Sequence, residues 1–417
     1  MRIVYVHRAV FPERVGGTYT YIHDLGRRLA ARGHEVHVIA SARSEDVPRH
    51  TALDGMRIHR YRFHRINPVL STLQHLRGTF AAYAEVVREH GPVDVLSVND
   101  SHLGYTLARS RLGRAACQIP TYHAPSFLEY EFNTAWQIRA EPNPVRRAAL
   151  KAAVPPLART QRRFEAGVLE AAQAILVLSR YTRGHIERYH PRVDVSKVRV
   201  IPSGVDTERF RPPDDKAAVR RRLGLDERAT VLLTVRNLSP RMGLENLIEA
   251  MATISGSDEV RDARLALLLC GDGRLRATLE DMIRERNLVG TVRLLGRVAH
   301  DELPLYYQAA DLFVLPTEAM EGFGIVTIES LASGTPVLGT PAGATPEILA
   351  PIDPRLLTRD ASVGAIADGL LSWLEWRATD PGPSRYRLEV ERKYAWDRVT
   401  DEIERFYDDT LRTFRRA

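Results

Sequence analysis

Short β-branched runs alternate with amphipathic stretches from the first residues onward. Arg2-Ile3-Val4-Tyr5-Val6 reads as a buried strand. A loop with Pro12, Gly16 and Gly17 follows, then apolar positions recur at helical spacing from Thr18 to Arg32 until Gly33 stops them. Glu35 to Ile39 is the next strand. Strand, glycine loop, helix and strand within about 40 residues make a βαβ unit, and hence a parallel sheet covered by helices. Similar apolar runs recur at Val93 to Val98, Ala116 to Tyr122, Ala174 to Leu178 and Val198 to Ile201. Residues 57–65 alternate in the manner of an edge strand.

A turn-forming stretch from Ile201-Pro202-Ser203-Gly204 to Phe210-Arg211-Pro212-Pro213 interrupts this series, and a second series begins after it. Its strands are expected at Thr230 to Val235, Leu265 to Leu269, Val292 to Leu295, Asp311 to Pro316 and Thr335 to Gly339. Helices are expected at Leu244 to Thr253, at Leu275 to Arg286 and from about Ile325. The chain closes on a helical pattern from Trp396 to Phe414. The expectation is α/β: an N-terminal doubly wound domain over 1–205, completed by a C-terminal helix at 396–417, and a second doubly wound domain over 206–395. In such sheets ligands bind at the carboxyl ends of the strands, so two of them would face each other across a cleft lined by those loops.

Composition narrows the class. The 417 residues are 44% hydrophobic and 27% charged, as in ordinary globular proteins. No run approaches the roughly 18 apolar residues of a membrane span, and Arg2, His7 and Arg8 break up the start, so a cytoplasmic protein is expected. Cys117 and Cys270 are too few for a disulfide framework or a cysteine-rich zinc site. The net charge of +7 is uneven: residues 1–200 hold 30 Lys and Arg against 17 Asp and Glu, and residues 201–417 hold 29 against 35. A basic half suits an anionic partner, either an anionic acceptor or an anionic membrane surface contacted peripherally on its inner side. Arg57, Arg60, Arg62 and Arg65, and the run Arg146, Arg147, Lys151, Arg159, Arg162 and Arg163, are the candidates. The fingerprints that accompany nucleic-acid binding are lacking, so no nucleic-acid partner is expected.

Three loops carry chemistry. Arg14-Val15-Gly16-Gly17-Thr18 places two residues without side chains at a helix start, where backbone amides can approach an anion. Arg236-Asn237-Leu238-Ser239-Pro240-Arg241-Met242-Gly243 brings two guanidiniums to a helix N-terminus after a strand, which suits a pyrophosphate. Glu318 to Glu329 sets Glu321 and Glu329 eight positions apart across Gly322, Phe323, Gly324, Ile325 and Val326, at the start of a helix. Carboxylates accept hydrogen bonds from sugar hydroxyls, and helix-start amides donate to phosphate.

With these segments in place, the chain resembles the GT-B-fold, retaining family-four glycosyltransferases, which use nucleotide-diphosphate sugars. The resemblance extends through Arg32-Gly33-His34-Glu35-Val36, Val200 to Asp206 with Phe210-Arg211-Pro212, Arg236 with Gly243, and Gly271-Asp272-Gly273. It continues in Leu295 to Val298, Ala310 to Pro316, the Glu321/Glu329 pair, Gly334-Thr335-Pro336-Val337 and Gly343 to Glu347. It implies that Glu321 holds hydroxyls of the transferred sugar, that amides of the Gly322 to Val326 segment bind sugar and phosphate oxygens, and that Glu329 holds the ribose. Arg236 would bind the diphosphate, Val298 would line the base, Gly16 and Gly17 would close over the phosphates, and His123 would stand beside the sugar. Two positions depart from the pattern. Met242, with Arg241 before it, stands where the family usually has lysine, and Ser203 stands where asparagine is common.

The reaction implied is transfer of a hexosyl group from a UDP- or GDP-sugar to a hydroxyl with retained anomeric configuration, by front-face attack, in glycan or glycolipid synthesis. No metal or other cofactor is expected, and the chain has no D-x-D sequence. The alternative, suggested by Met242, is a catalytically weak nucleotide-sugar-binding partner or regulatory subunit.

Overall fold

The computed structural model describes residues 1–14, 16–42, 46–64, 67–380 and 382–416; Val15, Arg65 and Ala417 lie outside them. The chain forms two units, Met1–Pro202 with Asp397–Ala417, and Ser203–Trp396.

In the first unit, β1 (Arg2–Val6), β2 (Glu35–Ala42), β3 (His50–Leu53), β4 (Met56–Arg62), β5 (Val95–Val98) and β6 (Cys117–Gln118) form one sheet in the order β3-β4-β2-β1-β5-β6. All neighbours are parallel except β3, which pairs antiparallel with β4. Val4, Val6, Ile39, Leu96 and Val98 are buried in the core with Tyr83, Val86, Leu103 and Leu107 from two covering helices, Pro68–His90 and Ser101–Arg109. Strands covered in this way need apolar residues in unbroken runs rather than in alternation.

Two expectations are corrected here. Met56–Arg62 is not an edge strand, because the antiparallel β3 covers its outer side. The run Ala116 to Tyr122 is not one strand either: Cys117–Gln118 pairs with β5, while β7 (Thr121–Tyr122) pairs with β8 (Ile175–Val177), which pairs with β9 (Val198–Val200). Pro120 lies between the two pieces and has no N–H to give to a ladder.

The C-terminal helix Trp396–Arg416 buries a stripe of Val399, Ile403, Tyr407 and Leu411. It docks on the first unit through Arg32 and His34, which bond Glu404 at 2.8 Å each, and through Tyr407 Oη, 3.4 Å from Tyr5 Oη.

In the second unit, β10 (Thr230–Val235), β11 (Leu265–Cys270), β12 (Val292–Gly296), β13 (Leu312–Leu315) and β14 (Val337–Gly339) form a fully parallel sheet in the order β12-β11-β10-β13-β14. The order reverses direction at β10, with β11 on one side and β13 on the other. That makes the carboxyl ends of β10 and β13 the place where a doubly wound sheet receives a ligand.

Candidate active site

The loop leaving β10 and the loop leaving β13 meet. Arg236 extends the pairing of β10 by one residue, its amide donating to Cys270 O at 2.9 Å. Its Nη2 then donates to Glu321 Oε2 at 2.6 Å and to Thr317 Oγ1 at 2.9 Å, and abuts the Met242 sulfur. Thr317 Oγ1 donates a hydrogen bond to the same Glu321 oxygen at 3.1 Å. The ion pair is nearly dry, its side chains 7% and 11% exposed. Arg236 Nε is buried with no partner, a donor held ready beside a carboxylate.

Burial by itself raises the pKa of the Glu321 carboxyl. The guanidiniums of Arg236 and Arg241 and the bonds from Arg236 and Thr317 outweigh it and hold the group below the ordinary carboxylate range. Arg241 reaches this place from the 3-10 turn Pro240–Met242, donating from Nη1 to Met320 O at 3.0 Å. Met242, at the lysine position, points inward and is buried against Arg236.

Backbone packing fixes these loops. Gly243, at φ +67°, opens the helix Leu244–Ile254, and a Cβ there would stand 1.8 Å from Pro316 O. Gly343, at φ +64°, lies against the backbone of Glu321, where a Cβ would stand 2.2 Å from its carbonyl oxygen. Only glycine fits either place.

Glu321 is followed by half-buried Gly322 and buried Phe323, and then by Gly324, the N-cap of the helix Ile325–Ala332. No side chain caps this helix, so first-turn amides that lack intrahelical partners, including those of Ile325 and Val326, are available to a ligand. Glu329 lies one turn in, buried, and accepts from Tyr307 Oη at 2.9 Å. Glu321 does not cap the helix, and Glu329 is not solvated. Val298 lies apart from this cluster, half-buried just beyond β12, at the edge three strands from β13.

In the first unit a second group gathers at the carboxyl ends of β1, β5 and β7. His123 follows β7, with Nε2 3.3 Å from Asn99 Oδ1 and its ring edge-on to Tyr21. Burial, then the nearby His7, lowers its pKa to about 3, so it is a neutral imidazole at neutral pH. His7 follows β1 and is likewise lowered to about 4, chiefly by burial. Asp100 caps the helix Ser101–Arg109 and pairs with Arg8 at 2.6 Å. Gly16 and Gly17 open the helix Gly17–Ala31, which has no side-chain cap.

Sequence reasoning missed Thr317, Tyr307, His7, Asn99 and Asp100. Asn99, His7 and Thr317 stand within two residues of a strand's end, a position that flags them in any doubly wound sheet. Tyr307 has no such signal, since its contact with Glu329 is between two helices.

The basic runs are partly accounted for. Arg57 pairs with Glu35; Arg60 is buried, pairs with Glu13 and donates to Thr51 Oγ1 at 2.7 Å. Arg146, Lys151, Arg159, Arg162 and Arg163 are exposed along the helix Pro144–Ala171, where Val145 is also 75% exposed. Among the described residues no helix is long and apolar enough to cross a membrane.

Comparison with known proteins gives the family. Residues 15–209 match the family described as Glycosyltransferase Family 4, and residues 215–388 match Glycosyl transferases group 1. The chain is 29% identical, over 96% of its length and 87% of the relative's, to a D-inositol 3-phosphate glycosyltransferase of Acidothermus cellulolyticus. It is 27% identical, over 96% and 97%, to a GDP-mannose-dependent alpha-(1-6)-phosphatidylinositol monomannoside mannosyltransferase of Mycobacterium tuberculosis. Among solved structures, sucrose-phosphate synthase from Thermosynechococcus elongatus superposes with a TM-score of 0.82 over 99% of both chains at 22% identity, a likeness of fold. The two family matches cover both units, the relatives align nearly end to end, and the chain therefore belongs to the group 1, family 4 glycosyltransferases, enzymes of the GT-B fold.

Proposed function

We propose that the chain transfers a hexosyl group from a nucleotide-diphosphate sugar to a hydroxyl, with retention and without a metal. The observation that carries this reading is the dry Arg236–Thr317–Glu321 cluster with an unpartnered guanidinium N–H. As the anomeric bond breaks, negative charge grows on the diphosphate. Arg236 Nε, the field of Arg241 and the uncapped amides at Phe323 to Val326 are fixed donors for that charge and need no reorganisation. Glu321, kept ionised, accepts from hydroxyls of the transferred sugar, and Glu329, positioned by Tyr307, accepts from the ribose. Val298 lines the base, and Gly16 and Gly17 contribute amides to the phosphates. His123, neutral and with its Nε2–H given to Asn99, stands beside the sugar with Nδ1 left to accept from a hydroxyl. None of these groups is placed as a double-displacement nucleophile in the reading, so the leaving phosphate oxygen takes the acceptor proton in front-face attack.

The donor is read as a UDP- or GDP-sugar. The mannosyl relative named above uses GDP-mannose, and a structural neighbour from Anabaena was solved with UDP at 18% identity and a TM-score of 0.73. A panel of UDP, GDP, ADP and dTDP tests it by thermal unfolding. The cognate nucleotide at about 100 times its Kd stabilises the fold by roughly 2.7 kcal/mol, and the others do not. Its sugar conjugates then give a product with retained configuration, in chelator as well as without. A nucleotide shift without transfer to any hydroxyl acceptor would favour the second reading, a weak binding partner, whose one support is Met242 in place of lysine.

The acceptor is read as an anionic lipid or glycolipid headgroup met at a membrane surface, on the strength of the exposed arginines along Pro144–Ala171 and the phosphatidylinositol substrate in the relative's name. Co-sedimentation with vesicles is expected to rise with their content of anionic lipid and to fall with salt. Binding indifferent to anionic lipid removes the membrane from the reading.

A further inference from the structure

On β2 and β4, to the side of β1 away from β5, histidines collect from several elements. His37 lies near the start of β2, His59 on β4 and His90 at the last turn of the helix Pro68–His90; one ring nitrogen from each lies within 4.8 Å of the other two. His37 Nδ1 is 2.8 Å from His59 Nε2, and His50 on β3 approaches His59 at 3.3 Å. His37 is fully buried and His59 nearly so. His37 Nε2 makes no hydrogen bond and faces Glu35 Oε1 at 3.3 Å.

A buried patch of imidazoles is a costly way to fill a sheet–helix interface, since each ring carries polar nitrogens that an aliphatic side chain lacks. A soft-to-borderline cation removes that cost. Four tetrahedral ligands at about 2.0–2.1 Å stand about 3.3 Å from one another, so these rings need to move by only about an ångström.

The surroundings favour positive charge. The carbonyl end of the helix Pro68–His90 points here, with its partial negative charge. Glu35 faces His37 and, at 3.7 Å, His90, while Glu85 faces His50 at 3.4 Å. The cations at the site are Arg2 and Arg57, and both are paired with Glu35. Arg57, whose Nη1 is 3.1 Å from His90 Nδ1, is half exposed and can turn to solvent.

We infer that His37, His59 and His90 form a three-histidine site for a divalent transition-metal ion of the Zn2+ class, with Glu35 or water as fourth ligand. Imidazole ligands with no thiolate suit Zn2+, and the buried setting suits a structural ion. The ion ties β2 and β4 to the end of the covering helix. It lies away from the strand ends that carry the transfer chemistry and takes no part in that chemistry.

The test uses the full chain without a histidine tag, stripped with EDTA and desalted. Zn2+ titrated by calorimetry is expected to bind at one ion per chain and to raise Tm, and Co2+ is expected to give the intense visible bands of tetrahedral coordination. His90→Ala and His59→Asn each weaken Zn2+ binding by at least about 100-fold. His64→Ala, at an exposed histidine outside the cluster, leaves it unchanged. Should His59→Asn fail to fold, His90→Ala at the half-buried helix end and the Co2+ spectrum of the unaltered chain still decide. No stoichiometric binding to the unaltered chain, or binding that survives His90→Ala undiminished, overturns the site.

Discussion

Arg236→Met is expected to lower kcat for sugar transfer by at least about 100-fold at saturating donor, and to destabilise the chain by roughly 3–5 kcal/mol. Two effects combine. The nucleotide sugar loses a buried guanidinium N–H, Arg236 Nε, that has no partner within the protein and stands at the switch point of the sheet. Glu321 is left as a buried carboxylate bonded to Thr317 alone on that oxygen.

The stability loss carries a pH signature. In the native chain Glu321 has a lowered pKa, so its contribution is full above the ordinary carboxylate range and is lost as pH falls through the lowered value. In Arg236→Met, burial acts with less opposition and the group prefers to be protonated. The gap between the two chains therefore opens as pH rises past the ordinary carboxylate range and narrows in acid. Urea midpoints from about pH 4 to pH 8 measure it. Arg236→Met with Glu321→Gln removes both charges and is expected to recover much of the stability but none of the turnover. A gap independent of pH would mean that the ion pair does not govern this loop.

Gly343→Ala is the second large effect, and it arrives through the backbone. The residue holds φ +64°, and its new methyl would fall 2.2 Å from Glu321 O and 2.7 Å from Glu321 N. Neither atom belongs to a flexible side chain, so the loop carrying Glu321 has to shift. The same loop is bonded to the next residue, whose amide donates to Glu321 O at 2.8 Å. The expected cost is roughly 3 kcal/mol or more, with a matching loss of nucleotide affinity. Gly184→Ala serves as the comparison. It lies inside the helix Arg180–Tyr189 with nothing near its would-be Cβ, so it is expected to be neutral or mildly stabilising. Equal effects from the two substitutions would show that the contact at Glu321 is not what makes Gly343 necessary.

Local pattern was informative where a segment answers mainly to its own residues. Arg2 to Val6 and Thr230 to Val235 are strands with the bounds expected, because continuous β-branched and aliphatic runs of five or six residues suit a strand covered on both faces. The helix stopped by Gly33 and the helix opening after Gly324 were legible for the same reason, since glycine punctuates a chain locally. So was the Arg236, Arg241 and Glu321 set: each follows a readable strand, and strand ends in such sheets lead to one place.

The rest depended on partners distant in sequence. Whether Met56–Arg62 is an edge strand was decided by residues 50–53, which pair outside it. Which way Met242 points was decided by the room beside Arg236, and the setting of Glu329 by Tyr307, 22 residues earlier. The histidines at 37, 59 and 90 carry no shared spacing; parallel pairing of β2 with β4, and a helix that ends above them, bring them together. Periodicity and glycine placement act over a few residues, and so the alternation of strands and helices and the largely parallel pairing in both units were readable along the chain. Which side chains at the strand ends are dry, paired or left with a donor to spare followed from folding, because burial and electrostatic partnership are properties of neighbours that the chain brings together from far apart.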